Sequence, residues 1–286
     1  MAPKHVAMTA LAVLLSLTVS GCLSAPAKAP STIGFVYASG GSLMVDGSAV
    51  QLFGPNDQYV FINAMIASGL WGTPDPNAWG NNGLFPSGPD GHIDGITDAD
   101  SLWHEYFRYF LHYQAVGSPR PNMVRVWIAD DTWYPNGVYD AWKSDPATFW
   151  AIFDRMVYWA HQAGVYVVPV LGHFATQKDN TFFDTSSPEY LKHVEATKAI
   201  LARYDGDSTI AMWDLWNEPD VDNDVYWASV GGITALKAWA NALISDVRPS
   251  APTHPLTLGF GGWTLFPGLP TDYGLAYWLF YYGGLD

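Results

Sequence analysis

The chain has 286 residues, of which 49% are hydrophobic and 15% aromatic, which is enough apolar material for one large core. Its 13 Lys and Arg residues against 27 Asp and Glu residues give a formal net charge of -14. Such a surface repels phosphate backbones, so we expect one principal domain and no nucleic acid partner.

The N-terminus has the pattern of a targeting segment. "MAPKH" supplies positive charge, residues 6–19 are apolar but too few to span a membrane stably, and "VSGC" places small residues before a cysteine. This resembles a lipoprotein signal peptide in which Cys22 is acylated; the alternative is an ordinary secretory signal with an incidental cysteine. We expect a signal peptide at residues 1–21, a tether at 22–34 and the folded domain at 35–286. The protein is then extracytoplasmic and lipid-anchored, or secreted in the alternative.

Strand-like and helix-like segments alternate beyond the tether. The expected strands cover residues 49–54, 122–130, 165–174, 209–218 and 255–263. The expected helices cover residues 101–114, 145–164, 187–204 and 230–247. Because the strands are continuous apolar runs, the pattern predicts a parallel sheet with helices over both of its faces.

Polar residues gather at the carboxyl ends of the expected strands. In chain order they are Asn56 and Asp57, then Arg125, Trp127 and Asp130, then His173, then Asn217 and Glu218, and finally Trp263. Enzymes with a (β/α)8 TIM barrel carry their chemistry at this edge, and no glycine-rich phosphate loop follows the first strand. We therefore predict an α/β fold, a (β/α)8 barrel, of which this chain holds about five to six of the eight strands.

The segment "WDLWNEP" ends the fourth expected strand with an amide and a carboxylate. A glycosidic oxygen is a poor leaving group, so its cleavage needs an acid and afterwards a base, and one glutamate can serve both steps. Glu218 is placed for this role at a barrel mouth. The alternative is a strand-end glutamate that caps a helix or forms a surface ion pair.

Four motifs together resemble glycoside hydrolase family 5, nearer its mannanases and cellulases than its other members. They are "LMVDGSAVQLFGPNDQY", "NMVRVW", "VLGH" and "WDLWNEP", and the likeness spans residues 42–263. The resemblance implies that Glu218 is the acid/base, that Asn217 binds the 2-hydroxyl of the sugar, and that Arg125 supports the nucleophile. It implies less directly that His173 lies near the sugar cleft; a plain structural histidine is the alternative.

The family pattern also requires a nucleophilic glutamate at the end of the seventh strand. No glutamate follows Glu218 in this sequence. We therefore expect the N-terminal part of a longer retaining β-glycosidase, inactive by itself, that acts on β-mannan or β-glucan. Two alternatives remain: Asp130 or Asp131 replaces the nucleophile, or the barrel is catalytically inactive and only binds glycans.

An insertion rich in Gly, Pro, Asn and Trp lies between residues 58 and 100, where a barrel places loops over its mouth. Aromatic side chains expected to stack on sugar rings, or alternatively to pack in the core, are Trp71, Trp79, Trp127, Trp133, Tyr134 and Trp263. Residues 90–100 faintly resemble a calcium loop, but the positions of its first and third ligands are held by Pro86 and Gly88. We expect no metal and no cofactor, a polysaccharide or oligosaccharide as partner, membrane contact through the anchor only, and a monomer.

Overall fold

The computed structural model describes residues 33–70, 98–115, 120–128, 138–173, 180–220 and 224–259. Its main feature is a parallel five-stranded sheet in which the strands lie side by side in chain order. The strands are β4 (Asn56–Asp57), β5 (Met123–Trp127), β6 (Tyr166–Val170), β7 (Trp213–Asn217) and β8 (Leu256–Gly259). A doubly wound sheet would reverse its order partway. The sequential order is that of a (β/α) barrel, and the described residues hold five of its eight strands, in agreement with the predicted partial barrel.

Helices cover the side of the sheet that would be the outside of the barrel. They are α1 (Val60–Ala67), α2 (Ala99–Ala115), α3 (Val138–Ser144), α4 (Pro146–Ala163), α5 (Pro188–Tyr204), α6 (Asp224–Val230) and α7 (Ile233–Val247). Short 3₁₀ helices lie at Asn180–Phe183 and Arg248–Ser250. The larger apolar cluster fills the space between this helical layer and the strands, including Phe153, Trp213 and Trp216.

The ends of α4 follow from its sequence. Asp145 accepts hydrogen bonds from the backbone N–H groups of Ala147 and Thr148, and Pro146 occupies the first turn. Gly164 ends the helix in the left-handed conformation at φ 65°. The predicted start and stop of this helix are confirmed.

A small antiparallel sheet precedes the barrel strands and was not predicted. It consists of β1 (Val36–Ser39), β2 (Ser42–Val45) and β3 (Ser48–Ala49). In the first connection φ is 59° at Gly40 and 78° at Gly41. In the second it is 50° at Asp46 and 77° at Gly47. Positive φ at both central residues is the requirement of two-residue hairpin loops, for which Gly-Gly and Asp-Gly are the usual sequences.

This hairpin sheet closes the amino end of the barrel strands. Ile33 and Val36 pack with Tyr166, Val168 and Ala211 in a second apolar cluster. The Tyr166 hydroxyl donates to the carbonyl of Gly34 at 3.0 Å. The carboxyl end of the sheet is therefore the end left for polar groups.

Three expected elements differ from the structure: the strand at 49–54, the helix at 230–247 and the helix at 101–114. Residues 50–55 are not a strand, and the first barrel strand begins at Asn56, because Pro55 has no N–H to donate to a ladder. The carbonyls of Phe53 and Pro55 nevertheless accept hydrogen bonds from Met123 and Arg125.

The expected helix over residues 230–247 is two helices, α6 and α7. Gly231 and Gly232 separate them, with φ of 124° and 63°. Neither value is compatible with a right-handed helix, so the chain must break there. The expected helix at 101–114 also begins earlier, since Asp98, rather than Ser101, accepts from a first-turn N–H at 2.8 Å.

Candidate active site

Arg125 is the centre of the polar groups at the carboxyl end of the sheet. It lies on β5, and its side chain is 18% exposed while that of its partner Asp214 on β7 is 3% exposed. Arg125 Nε and Nη2 donate to Asp214 Oδ2 at 3.0 and 2.7 Å. Nη2 also donates to Asn217 Oδ1 at 2.7 Å, and Nη1 donates to Asn56 Oδ1 at 2.7 Å. One guanidinium therefore ties the ends of β4, β5 and β7 together.

The environment of Asp214 contains opposing electrostatic influences. Burial raises the pKa of its carboxyl above the ordinary value of 3.8, while the charge and hydrogen bonds of Arg125 and the backbone N–H groups of Gly259 and Trp216 lower it. The Gly259 N–H donates to Asp214 Oδ1 at 3.0 Å. A Cβ on Gly259 would lie 2.6 Å from Arg125 Nη2, so this position requires glycine for close approach to the ion pair.

Asn217 and His173 are in direct contact. The two residues pair as a parallel bridge, and Asn217 Nδ2 lies 3.3 Å from His173 Nδ1. The His173 ring lies 4.3 Å from the Trp127 ring, and Trp127 Nε1 donates to Asn56 Oδ1 at 3.1 Å. The side chains on the ends of the first four barrel strands thus form one connected polar group.

Glu218 follows β7 directly and adopts φ 47°. This left-handed region is uncommon for residues other than glycine and is most often found at turns and functional sites. Its N–H donates to the Gly259 carbonyl at 2.5 Å, so the backbone leaves β7 while still bonded to β8. A non-glycine residue at positive φ beside this polar group is therefore a candidate functional residue.

Four of the predicted site residues, Arg125, His173, Asn217 and Glu218, are thus brought to one edge of the sheet. Trp127 joins them, buried at 6% exposure. The other predicted residues lie outside the described part of the chain: Cys22, Trp71, Trp79, Asp130, Asp131, Trp133, Tyr134 and Trp263.

Asp214 is the site residue that sequence reasoning missed. Strict alternation places Asp214 and Asn217 on opposite faces of a strand, because they are three residues apart. The register between β7 and β8 shifts between these two residues, and both side chains consequently reach Arg125. Trp213 and Trp216, also three apart, both turn toward the helices, where Trp213 contacts Phe153 and Trp216 contacts Trp239.

Other features of the described residues do not add to this site. A groove of about 520 Å³ lies at the opposite end of the sheet, lined by residues of α4 and of the turn before β7, such as Asp154, Tyr158 and Asp207. Within the described ranges no group of three or more His, Cys, Asp or Glu side chains is arranged to hold a metal ion. No helix among them is both long and apolar enough to cross a membrane.

A parallel sheet in sequential strand order, with its polar residues collected at the carboxyl edge, is the arrangement of a TIM-type barrel. The family model for cellulase, glycosyl hydrolase family 5, matches residues 113–271, more than half of the chain. The chain belongs to glycosyl hydrolase family 5. No curated protein sequence matches it.

Solved structures of similar fold include an endo-1,4-beta-mannanase from Rhizomucor miehei, which is 17% identical in sequence and has a TM-score of 0.51. The match covers 84% of this chain and 64% of the mannanase. The beta-glucanase SdGluc5_26A from Saccharophagus degradans, solved in complex with cellotetraose, has 17% identity over 81% of this chain and 55% of that chain, with a TM-score of 0.46. The chain thus spans 55% to 64% of the length of these two proteins.

Proposed function

We propose that the complete protein is a retaining β-glycosidase that cleaves β-mannan or β-glucan, with Glu218 as its acid/base. The observation that carries this proposal is the position of Glu218, in a strained conformation at the carboxyl end of β7 and next to Asn217. Membership of a family of glycoside hydrolases supports the reaction class.

In the proposed reaction Glu218 protonates the glycosidic oxygen as the bond to the anomeric carbon breaks, and a nucleophilic carboxylate takes the sugar. Glu218 then removes a proton from the water that releases the sugar. Asn217 donates to the hydroxyl beside the reacting carbon, where a hydrogen bond that strengthens in the transition state lowers the barrier. We propose that the nucleophile is a second carboxylate, about 5–5.5 Å from the Glu218 carboxyl as in other retaining enzymes.

The test is Glu218→Gln in the complete gene product, assayed on both mannan and glucan and on an aryl β-glycoside with a good leaving group. Turnover of the polysaccharides should fall at least about 100-fold, since the amide cannot supply a proton. The aryl glycoside should still release its phenol in a burst, and added azide should accelerate the second step because it attacks without a base.

Asp154→Asn, on the outer surface of α4, provides a matched control that should keep full turnover. Polysaccharide turnover by Glu218→Gln at the wild-type rate would remove Glu218 from the mechanism. Glycan binding with no turnover by the wild-type protein would instead support the alternative, a barrel that only binds glycans.

We also propose that Cys22 anchors the mature protein to the membrane outside the cytoplasm, with secretion as the alternative. The lone cysteine after "VSG" supports this proposal. Cys22→Ser should block processing or release the protein from the membrane fraction. Unchanged processing and membrane retention would contradict the anchor.

A further inference from the structure

The buried carboxylate of Asp214 fixes the orientation of Arg125. Oδ2 accepts from both Nε and Nη2 of the guanidinium, while Oδ1 accepts from the Gly259 N–H. Two bonds that converge on one oxygen, in a site where Asp214 is almost wholly buried, hold the planar guanidinium in a single rotational position.

The orientation of Arg125 in turn fixes the side-chain amide of Asn217. Each Nη nitrogen of a guanidinium carries two hydrogens, and none of its nitrogens can accept. Nη2 uses its hydrogens on Asp214 Oδ2 and Asn217 Oδ1, both at 2.7 Å. A flipped Asn217 amide would place its NH2 group against a donor, so only the orientation with Oδ1 toward Arg125 is compatible with the ion pair.

The fixed amide then determines the hydrogen position on His173. Asn217 Nδ2, which can only donate, lies 3.3 Å from His173 Nδ1. Nδ1 must therefore be the accepting nitrogen, and the hydrogen of the neutral ring resides on Nε2. The Trp127 ring, 4.3 Å from that of His173, limits rotation that would exchange the two nitrogens.

We propose that Asp214 is a positioning residue of this site, which acts through Arg125 and Asn217 to hold His173 as the Nε2–H tautomer. The chain of contacts makes Asn217 Nδ2 and His173 Nε2 hydrogen-bond donors, so this corner of the site suits a ligand oxygen that accepts. This positioning role deepens the proposed glycosidase function, and its value for catalysis rests on that function. The geometry that Asp214 imposes can be tested without any substrate.

The test is ¹⁵N NMR of the histidine ring nitrogens in the folded chain, because their shifts distinguish the two neutral tautomers. The His173 signal is assigned as the one lost in His173→Gln. In the wild type at neutral pH it should be the Nε2–H form. In Asp214→Ala the freed amide should flip, and the Nδ1–H form should become readily detectable.

Asn217→Asp provides a second variant that does not depend on Asp214→Ala folding. The carboxylate introduced at position 217 can still accept a hydrogen bond from Arg125. It cannot donate one to His173, so Nδ1 of the ring should become the donor, in the neutral Nδ1–H form or in the protonated ring. Asp154→Ala removes the acceptor of a comparable Arg–Asp pair on the helices and should leave the His173 signal unchanged.

Inversion or protonation of the ring in Asn217→Asp, with mixing in Asp214→Ala where that variant folds, supports the proposal. Retention of the Nε2–H form in Asn217→Asp, or in folded Asp214→Ala, overturns it, as does an Nδ1–H ring in the wild type. Because no outcome depends on turnover, loss of the proposed hydrolase activity would leave this result intact, and the reverse also holds.

Discussion

Two of the arginine–aspartate pairs among the described residues use the same arginine nitrogens in opposite surroundings. Arg125 and Asp214 join β5 to β7 inside the sheet edge, with side chains 18% and 3% exposed. Arg203 and Asp154 join α5 to α4 on the outside, with side chains 41% and 45% exposed. In both pairs Nε and Nη2 of the arginine donate to the carboxylate.

The two ion pairs differ in their further hydrogen-bond partners. The outer carboxylate of Asp154 also accepts from the Tyr204 hydroxyl at 2.6 Å, which adds to the packing of two helices. The inner pair has Asn56, Asn217 and Gly259 as further partners, all at the end of the sheet that carries the candidate site. Desolvation makes a buried ion pair a poor source of net stability, so its retention there favours a role in positioning.

The largest expected effect comes from neutralising each aspartate in turn. Asp214→Asn should lower the free energy of unfolding by about 3–5 kcal/mol, because Arg125 keeps a buried charge without its counter-ion, and the new NH2 group must face either the guanidinium or the Gly259 N–H, which are both donors. Asp154→Asn should cost about 1 kcal/mol or less, since water solvates both outer groups. Urea unfolding measures both, and equal losses would show that burial does not distinguish the two pairs.

A smaller effect should appear in the pH dependence of stability, through His193 on α5. This ring is buried against Trp216 at 4.9 Å, and burial lowers its pKa from 6.5 to about 4, opposed by a hydrogen bond to the backbone of Leu215. Between these values the unfolded chain binds a proton that the native chain does not, so stability falls as the pH falls. From pH 7 to pH 5 the loss should be about 2 kcal/mol.

The measurement compares urea unfolding of the wild type and His193→Gln at pH 7 and pH 5. Other groups, including Asp57 and Asp214, whose pKa values burial raises, contribute to both proteins and cancel in the difference. The variant should be less sensitive to acid than the wild type. Parallel losses in the two proteins would contradict a neutral buried His193.

The sequence predicted β5, β6 and β7 well, since each is an apolar run that ends in or precedes polar residues, whereas β4 lies beyond the expected strand at 49–54. The helix at α4 was predicted closely because its cap residues, Asp145, Pro146 and Gly164, act locally. The hairpin sheet was missed, although Gly40-Gly41 and Asp46-Gly47 are usual hairpin sequences, because its strands are too short to show an alternating pattern.

The candidate site was predicted only in part, for a different reason. Asn217 and Glu218 stand out in "WNEP", but the role of Asp214 depends on a register shift that no alternation pattern records. The contact of Arg125 with Asn56, 69 positions earlier, likewise follows from the alignment of β4 with β5. Long-range register thus decided which of the polar residues meet.

The smallest expected effect concerns backbone strain at Glu218. Among the described residues, Asp46 and Glu218 are the non-glycine residues with positive φ, at 50° and 47°. Aspartate and asparagine tolerate this region better than glutamate, so Asp46 in its hairpin turn stores little strain while Glu218 stores more. Glu218→Asn should therefore raise the free energy of unfolding by about 1 kcal/mol relative to Glu218→Gln, which removes the same charge and keeps the strain.

Asp46→Asn should change stability by less than this, since both residues suit the turn. Urea unfolding of the three variants measures these differences, and identical midpoints for Glu218→Asn and Glu218→Gln would show that Glu218 holds its position at the strand end without conformational cost.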